Sequence, residues 1–228
     1  DARELADEMD ANGFDTWVGG VAAYSTLGWF DDPVLSTFVQ RSEAQLAALL
    51  FHELAHKVVF VKGDTAFNEG FATAVEGILL REWLLSRNEA AAFDEYLASN
   101  ARREVFIALV LAERGRLDTL YTSYPADAAR SSRQTLLAQK ARIIKDLRAK
   151  YRTLVSSWKV DPYQGWMAAP INNARLSNVA TYNELVPAFR ALYADAGSMA
   201  AYFQRVEQLA GLDGPTRSAQ LEELLKSE

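Results

Sequence analysis

The sequence predicts an α+β protein that is mostly α, in which a small antiparallel sheet near the N-terminus packs on a functional helix and a helical bundle follows. Two observations support this class. Apolar residues recur with helical spacing over most of the 228 residues, whereas residues 15–38 contain short β-like runs broken by glycines. We expect residues 1–86 to form the part with the sheet, and residues 87–228 to form a helical part that packs on it as one compact unit.

The N-terminal elements follow from local patterns. Residues 2–12 have the periodicity of an amphipathic helix. Three short runs rich in β-branched and aromatic residues come next, and an Asp-Asp-Pro turn precedes the last of them. We expect these runs to be strands, at residues 17–21, 23–27 and 34–38.

Helices dominate after residue 42. Ser42 and Gln45 form a capping-box sequence, which predicts a helix start. Gly63 is typical of a left-handed helix end, and Asp64 or Thr65 can cap a second helix that runs to about Ser86. Further helices are expected at residues 89–120, 126–157, 172–178, 183–195, 198–210 and 216–226.

Composition excludes several classes of protein. A formal net charge of −6 argues against a general nucleic-acid binder. The absence of cysteine excludes disulfides and thiolate metal sites. No apolar run reaches bilayer-spanning length, and no leader is visible, although the abrupt helical start leads us to expect a missing upstream segment. These features leave the oligomeric state open.

The two histidines of the chain fall in one pentapeptide, His52-Glu53-Leu54-Ala55-His56. Histidines at i and i+4 of a helix lie on one face, one turn apart, and can bind a single metal ion. This His-Glu-x-x-His pattern is typical of zinc peptidases, in which the glutamate acts on a zinc-bound water. The pattern predicts zinc as cofactor, with His52 and His56 as ligands and Glu53 as general base.

A third protein ligand is expected, because catalytic zinc takes three and keeps one position for water. Without further histidine or cysteine, it must be a carboxylate. Glu69 and Glu76 are candidates on the next predicted helix, seven residues apart and therefore on one face. Twelve residues separate His56 from Glu69, and nineteen separate it from Glu76.

The motif resembles that of the gluzincin metallopeptidases, the aminopeptidase N-like enzymes in particular. There the pentapeptide is followed by Asn-Glu-Gly-Phe-Ala, which stands here at residues 68–72. The resemblance implies a zincin-like fold with Glu69 as third zinc ligand, and with Glu76 and Asn68 in supporting contacts around the ligands. The spacer before Glu69 is shorter than in aminopeptidase N, while Glu76 has a thermolysin-like spacing.

A closer resemblance, to a family of bacterial predicted aminopeptidases, extends over nearly the whole chain. It rests on residues 18–21, 23–30, 62–69, 172–176 and 179–182. The family implies a peptide substrate, a periplasmic or cell-envelope location, and a membrane tether through an N-terminal lipoprotein segment that this chain lacks.

The resemblance also implies further site residues. Tyr182 is the first candidate to stabilise the oxyanion, followed by Tyr24 and Arg175. The segment around Tyr24, Ser25 and Thr26 is expected to hold the peptide by β-augmentation, as an edge strand does in gluzincins. The Gly-x-Met-Glu-Asn segment that holds a free amino terminus in aminopeptidase N-like enzymes is absent, so exopeptidase and endopeptidase action both stay open.

The sequence is compatible with three functions. The leading hypothesis is a zinc metallopeptidase. A non-catalytic, zinc-stabilised envelope binding protein would bind its partner in the groove where a peptidase binds its substrate. In such a protein a side chain would block the fourth metal position. A zinc amidase acting on a cell-wall substrate would share the metal chemistry and differ in substrate.

Overall fold

The computed structural model describes residues 1–19, 42–87, 90–124 and 130–226. Within these ranges the chain is mostly helical and contains no strand. The helices are α1 (Ala2–Ala11), α2 (Glu43–Val58), α3 (Thr65–Ser86), α4 (Ala90–Thr122), α5 (Arg130–Val155), α6 (Gln164–Ala168), α7 (Asn173–Asn183), α8 (Val186–Ala196), α9 (Met199–Ala210) and α10 (Gly214–Leu225).

The predicted α+β class, with a sheet packed on the helix of the histidines, is therefore wrong, and the described chain is a mostly helical bundle. The first predicted strand enters the described range only with residues 17–19, which have no regular structure. Trp17 and Val18 are exposed there. β-branched and aromatic residues favour a strand only where a partner strand supplies the ladder. The other predicted strands, at residues 23–27 and 34–38, lie outside the described residues.

The predicted helices are confirmed within five residues at each described end, whereas the short helix α6 was not predicted. Ser42 and Gln45 form both hydrogen bonds of a capping box at the start of α2. Gly63 has a φ of 84°, the left-handed conformation that glycine adopts without strain. No helix of the described residues has the length and apolar content needed to cross a bilayer.

The chain divides into two compact units, each with most of its contacts within itself. Unit 1 comprises residues 1–18 and 98–179, and unit 2 comprises residues 19–97 and 180–228. Each unit joins segments that are distant in sequence, whereas the predicted parts 1–86 and 87–228 are continuous.

Unit 1 is built around the antiparallel pair α4 and α5. Phe106 and Val110 of α4 are buried with Leu147 of α5 in one apolar cluster, and Phe106 stacks on Tyr163 with ring centroids 3.8 Å apart. Glu113 is fully buried in the same unit. Its carboxylate accepts hydrogen bonds from the partly exposed side chains of Arg116 and Lys150, which compensate the burial of its charge.

Unit 2 contains α2, α3, α8, α9 and α10. Helix α2 packs along α3, α3 contacts α8, and α8 in turn contacts α9 and α10. Phe67 and Phe71 of α3 meet Phe189 of α8 with ring centroids 5.2 and 5.7 Å apart, in an apolar core that also includes Tyr202. This packing fixes α3, and with it the two candidate carboxylate ligands, against α2.

A candidate metal centre

Both histidines lie on the face of α2 that meets α3. One helical turn brings the imidazole centroids of His52 and His56 to 5.0 Å, with their planes nearly perpendicular. The exposed fraction of the side chain is only 13% for His52 and 10% for His56. The half-exposed ring of Phe60 packs edge-on against His56, with centroids 6.3 Å apart. The helix therefore presents two nitrogen ligands in a largely desolvated place.

Glu69 of α3 brings a carboxylate to the same point. Its Oε2 lies 3.2 Å from Nε2 of His52 and 3.8 Å from Nε2 of His56. One ligand atom from each of the three residues fits within 4.8 Å of the others. These residues form a candidate metal-binding triad among the described residues, and Glu69, not Glu76, is the carboxylate that faces both Nε2 atoms.

The turn between α2 and α3 is fixed by two residues that begin α3. Asp64 caps the helix by accepting a hydrogen bond from the backbone N–H of Phe67 at 3.1 Å. The buried Asn68 side chain accepts from Val61 N–H and donates to Val61 C=O, both at 2.8 Å. These bonds satisfy backbone groups that the turn would otherwise leave unpaired. They also hold Glu69, the next residue, in a fixed register.

A distant arginine supports the same turn. Arg217 of α10 donates from Nε and Nη2 to Oδ2 of Asp64, at 2.9 and 2.8 Å. Its Nη1 donates to the Leu212 carbonyl at 2.7 Å, and its guanidinium lies over the Phe67 ring. Because Arg217 is buried, these charge-assisted bonds are made in a low-dielectric environment.

Glu76 lies on the far side of His52, with its Oε2 3.3 Å from Nδ1. Burial, the largest influence, lowers the pKa of His52, but hydrogen bonds and charge from Glu69 and Glu76 outweigh it and raise the pKa to about 9. Burial and the neighbouring His52 charge lower the pKa of His56. These opposite shifts make His52, rather than His56, the imidazole that favours protonation when no metal is bound. Nδ1 of His56 is buried without a hydrogen-bond partner among the described residues.

Tyr182, near the end of α7, stacks on His52 with ring centroids 6.5 Å apart and planes within 19°. Its hydroxyl hydrogen-bonds to Glu69. Burial and the charges of Glu69 and Glu53 raise the phenol pKa, so the hydroxyl keeps its proton at neutral pH. Tyr182 is 37% exposed, and Glu53 is half-buried. The described structure thus places the triad and Tyr182 together in unit 2, and Glu53 is close enough to Tyr182 for its charge to act on the phenol.

The other predicted site residues have different surroundings. Arg175 is buried in unit 1, where it donates to the Pro170 carbonyl at 2.6 Å and lies over the Trp166 ring at 4.5 Å. Its described contacts are structural ones, and its predicted role, binding the substrate by stabilising the oxyanion, stays a prediction. The remaining predicted substrate contacts, Tyr24, Ser25 and Thr26, lie outside the described residues.

Sequence reasoning missed three residues around the site: Phe60, Gly70 and Arg217. Gly70 carried a signal, because a glycine inside a helical pattern often marks a close approach. Phe60 also carried one, since it follows the histidine helix by two residues. Arg217 carried none, because it meets Asp64 across 153 residues of sequence.

The fold and the triad define a mostly helical protein with a candidate metal centre between two helices. The chain matches the family described as "Putative aminopeptidase" over residues 1–221, and it belongs to that family. No curated protein and no solved structure matches it.

Proposed function

We propose that this protein is a zinc-dependent metallopeptidase of the gluzincin type, with zinc held by His52, His56 and Glu69. The observation that carries the proposal is the cluster formed by Nε2 of both histidines and Oε2 of Glu69, with Glu53 next to His52 in the sequence. Membership of a family described as aminopeptidases supports peptide hydrolysis.

The donor set fits zinc. Two imidazoles and one carboxylate form a known catalytic ligand set that leaves room for water. Tetrahedral zinc with ligand bonds near 2.0–2.1 Å needs donor atoms about 3.3 Å apart. The observed separations from Oε2 of Glu69, 3.2 and 3.8 Å, are close to that. Glu76 on Nδ1 of His52 supplies the outer carboxylate that orients a zinc-binding imidazole.

When bound, zinc would polarise the scissile carbonyl and lower the pKa of water from 15.7 toward about 7. Glu53 would accept the proton of the attacking water on its carboxylate. It would then pass that proton to the leaving amine nitrogen, which cannot depart as an anion. Because Glu53 directly follows His52 on α2, the helix carries the base and a ligand as one rigid element.

Tyr182 would act as a hydrogen-bond donor. Its raised pKa keeps the hydroxyl protonated, and its partial exposure makes the hydroxyl accessible to a substrate. It would donate to the carbonyl oxygen as negative charge develops there. Phe60, half-exposed beside His56, offers an apolar surface to a neighbouring substrate side chain.

Replacement of the base tests the proposal. Glu53→Gln should reduce turnover of a peptide library by at least about a thousandfold, since it removes the proton acceptor. The variant should still bind one zinc. Glu43→Gln is the matched control, because it makes the same change at an exposed position of the same helix, and it should keep full activity. A Glu53→Gln variant as active as the Glu43→Gln control would refute the mechanism.

The type of peptidase is a separate question. The family description favours an aminopeptidase, which requires a free substrate amine. Matched peptides with free and acetylated N-termini would decide, because only an endopeptidase cleaves both equally well. The cell-envelope location implied by resemblance remains part of the proposal, and fractionation of the host cell would test it.

A further inference from the structure

Gly70 lies inside α3, directly after Glu69, and is buried. A Cβ at this position would lie 3.0 Å from Cβ of Leu185 and 3.5 Å from Cε2 of Phe189. Carbon atoms in favourable contact are about 3.5–4.0 Å apart, so even a methyl group at this position requires Leu185 to shift by a few tenths of an ångström. Glycine inside a helix costs roughly 0.5–1 kcal/mol relative to alanine. Gly70 therefore permits a closer approach of α3 and Leu185 than a residue with a side chain would allow.

Gly77 of the same helix provides a contrast. A Cβ there would lie 3.7 Å from Nη2 of Arg190 and 3.8 Å from Oη of Tyr96. Both are ordinary van der Waals distances, and the Arg190 atom is the end of a flexible side chain. The steric restriction on α3 is thus specific to the position beside Glu69.

The residue that touches Gly70 is close in sequence to the tyrosine of the site. Leu185 is the N-cap of α8, and Tyr182 lies three residues before it. Tyr182 in turn stacks on His52 and bonds to Glu69. The short segment from 182 to 185 therefore lies against two consecutive residues of α3: the Tyr182 side chain against Glu69, and Leu185 against Gly70.

We propose that Gly70 is a positioning residue, whose missing side chain sets the distance between α3 and Leu185 and so places the Tyr182 hydroxyl in the site. This inference rests on the proposed function for its effect on catalysis. A methyl group at Gly70 would move Leu185 by a few tenths of an ångström or more. Tyr182 would move with it, while both histidines stay on the undisturbed α2.

The test compares Gly70→Ala with Gly77→Ala in the zinc-loaded, full chain. Gly70→Ala should lower kcat on the order of tenfold, because a small displacement of a group that contacts the reacting atoms slows the reaction strongly. It should leave the zinc affinity within about twofold of the parent, while Gly77→Ala should leave both unchanged. Placed in a Tyr182→Phe background, Gly70→Ala should cause no further loss of kcat, because the hydroxyl that it displaces is already absent.

A structural readout separates this inference from the proposed function. The nuclear Overhauser contact between the Tyr182 and His52 rings should weaken in Gly70→Ala and persist in Gly77→Ala. If the parent protein cleaves no peptide, the proposed function fails, and this contact alone decides the positioning role. An unchanged contact in Gly70→Ala overturns the inference. So does an equal loss of kcat with and without the Tyr182 hydroxyl, since a general destabilisation would act in both backgrounds.

Discussion

Removal of the proposed zinc should make the stability of unit 2 depend on pH through His52. In the metal-free site both imidazole nitrogens of this residue face carboxylates, Glu69 at 3.2 Å and Glu76 at 3.3 Å. These contacts stabilise the imidazolium and raise the pKa to about 9, although burial opposes them. The unfolded chain has the ordinary value near 6.5.

The direction of this pH dependence follows from the raised pKa of His52. The stabilisation by the charged imidazole is fully present below pH 6.5, and it is lost as pH rises through about 9. The gap between the two pKa values corresponds to about 3 kcal/mol of unfolding free energy. Because zinc needs the neutral imidazole, the same proton must leave on binding. The apparent zinc affinity should therefore rise about tenfold per pH unit from pH 7 to 9.

Urea denaturation of the chelated protein at pH 6, 7.5 and 9.5 measures the first effect, and zinc titration at the same pH values measures the second. His52→Gln is the control, since it fills similar space without a titratable group, and its stability should lack this dependence. The reasoning fails if the parent loses no more stability than His52→Gln between pH 6 and 9.5.

Three further changes test the supports of the site and of unit 1. Glu76→Gln should weaken zinc binding roughly tenfold, because His52 loses the anion on its outer nitrogen; an unchanged dissociation constant would contradict this. Arg217→Met should lower the unfolding free energy by about 3 kcal/mol, since it leaves Asp64 without its buried partner. Urea denaturation measures it, and a loss below 1 kcal/mol would show that the pair is weak. Glu113→Ala should destabilise unit 1 by a similar amount, because two cations lose their shared anion and a cavity forms; thermal unfolding would show no change if the network is dispensable.

The sheet was predicted wrongly because strand formation depends on contacts outside the segment itself. Residues 17–21 have a composition that suits a strand, yet residues 17–19, the part that the structure describes, form none. Strand propensity measures the fit to a partner strand and a half-buried surface, and neither is visible in one segment of sequence. Helical periodicity is different, because the hydrogen bonds of a helix lie within the segment itself. The long helices were therefore predictable, and the sheet was not.

The sequence by itself determined the elements whose geometry is local. The i, i+4 spacing of His52 and His56 places both imidazoles on one face as soon as α2 forms. Only the tertiary structure decided which carboxylate joins them. Glu69 and Glu76 share a face of α3, and the packing of α3 on α2 brings the first to both Nε2 atoms and the second to the outer nitrogen of His52. Tyr182 joins them for the same reason, since its distance from α2 is set by packing across more than a hundred residues of chain.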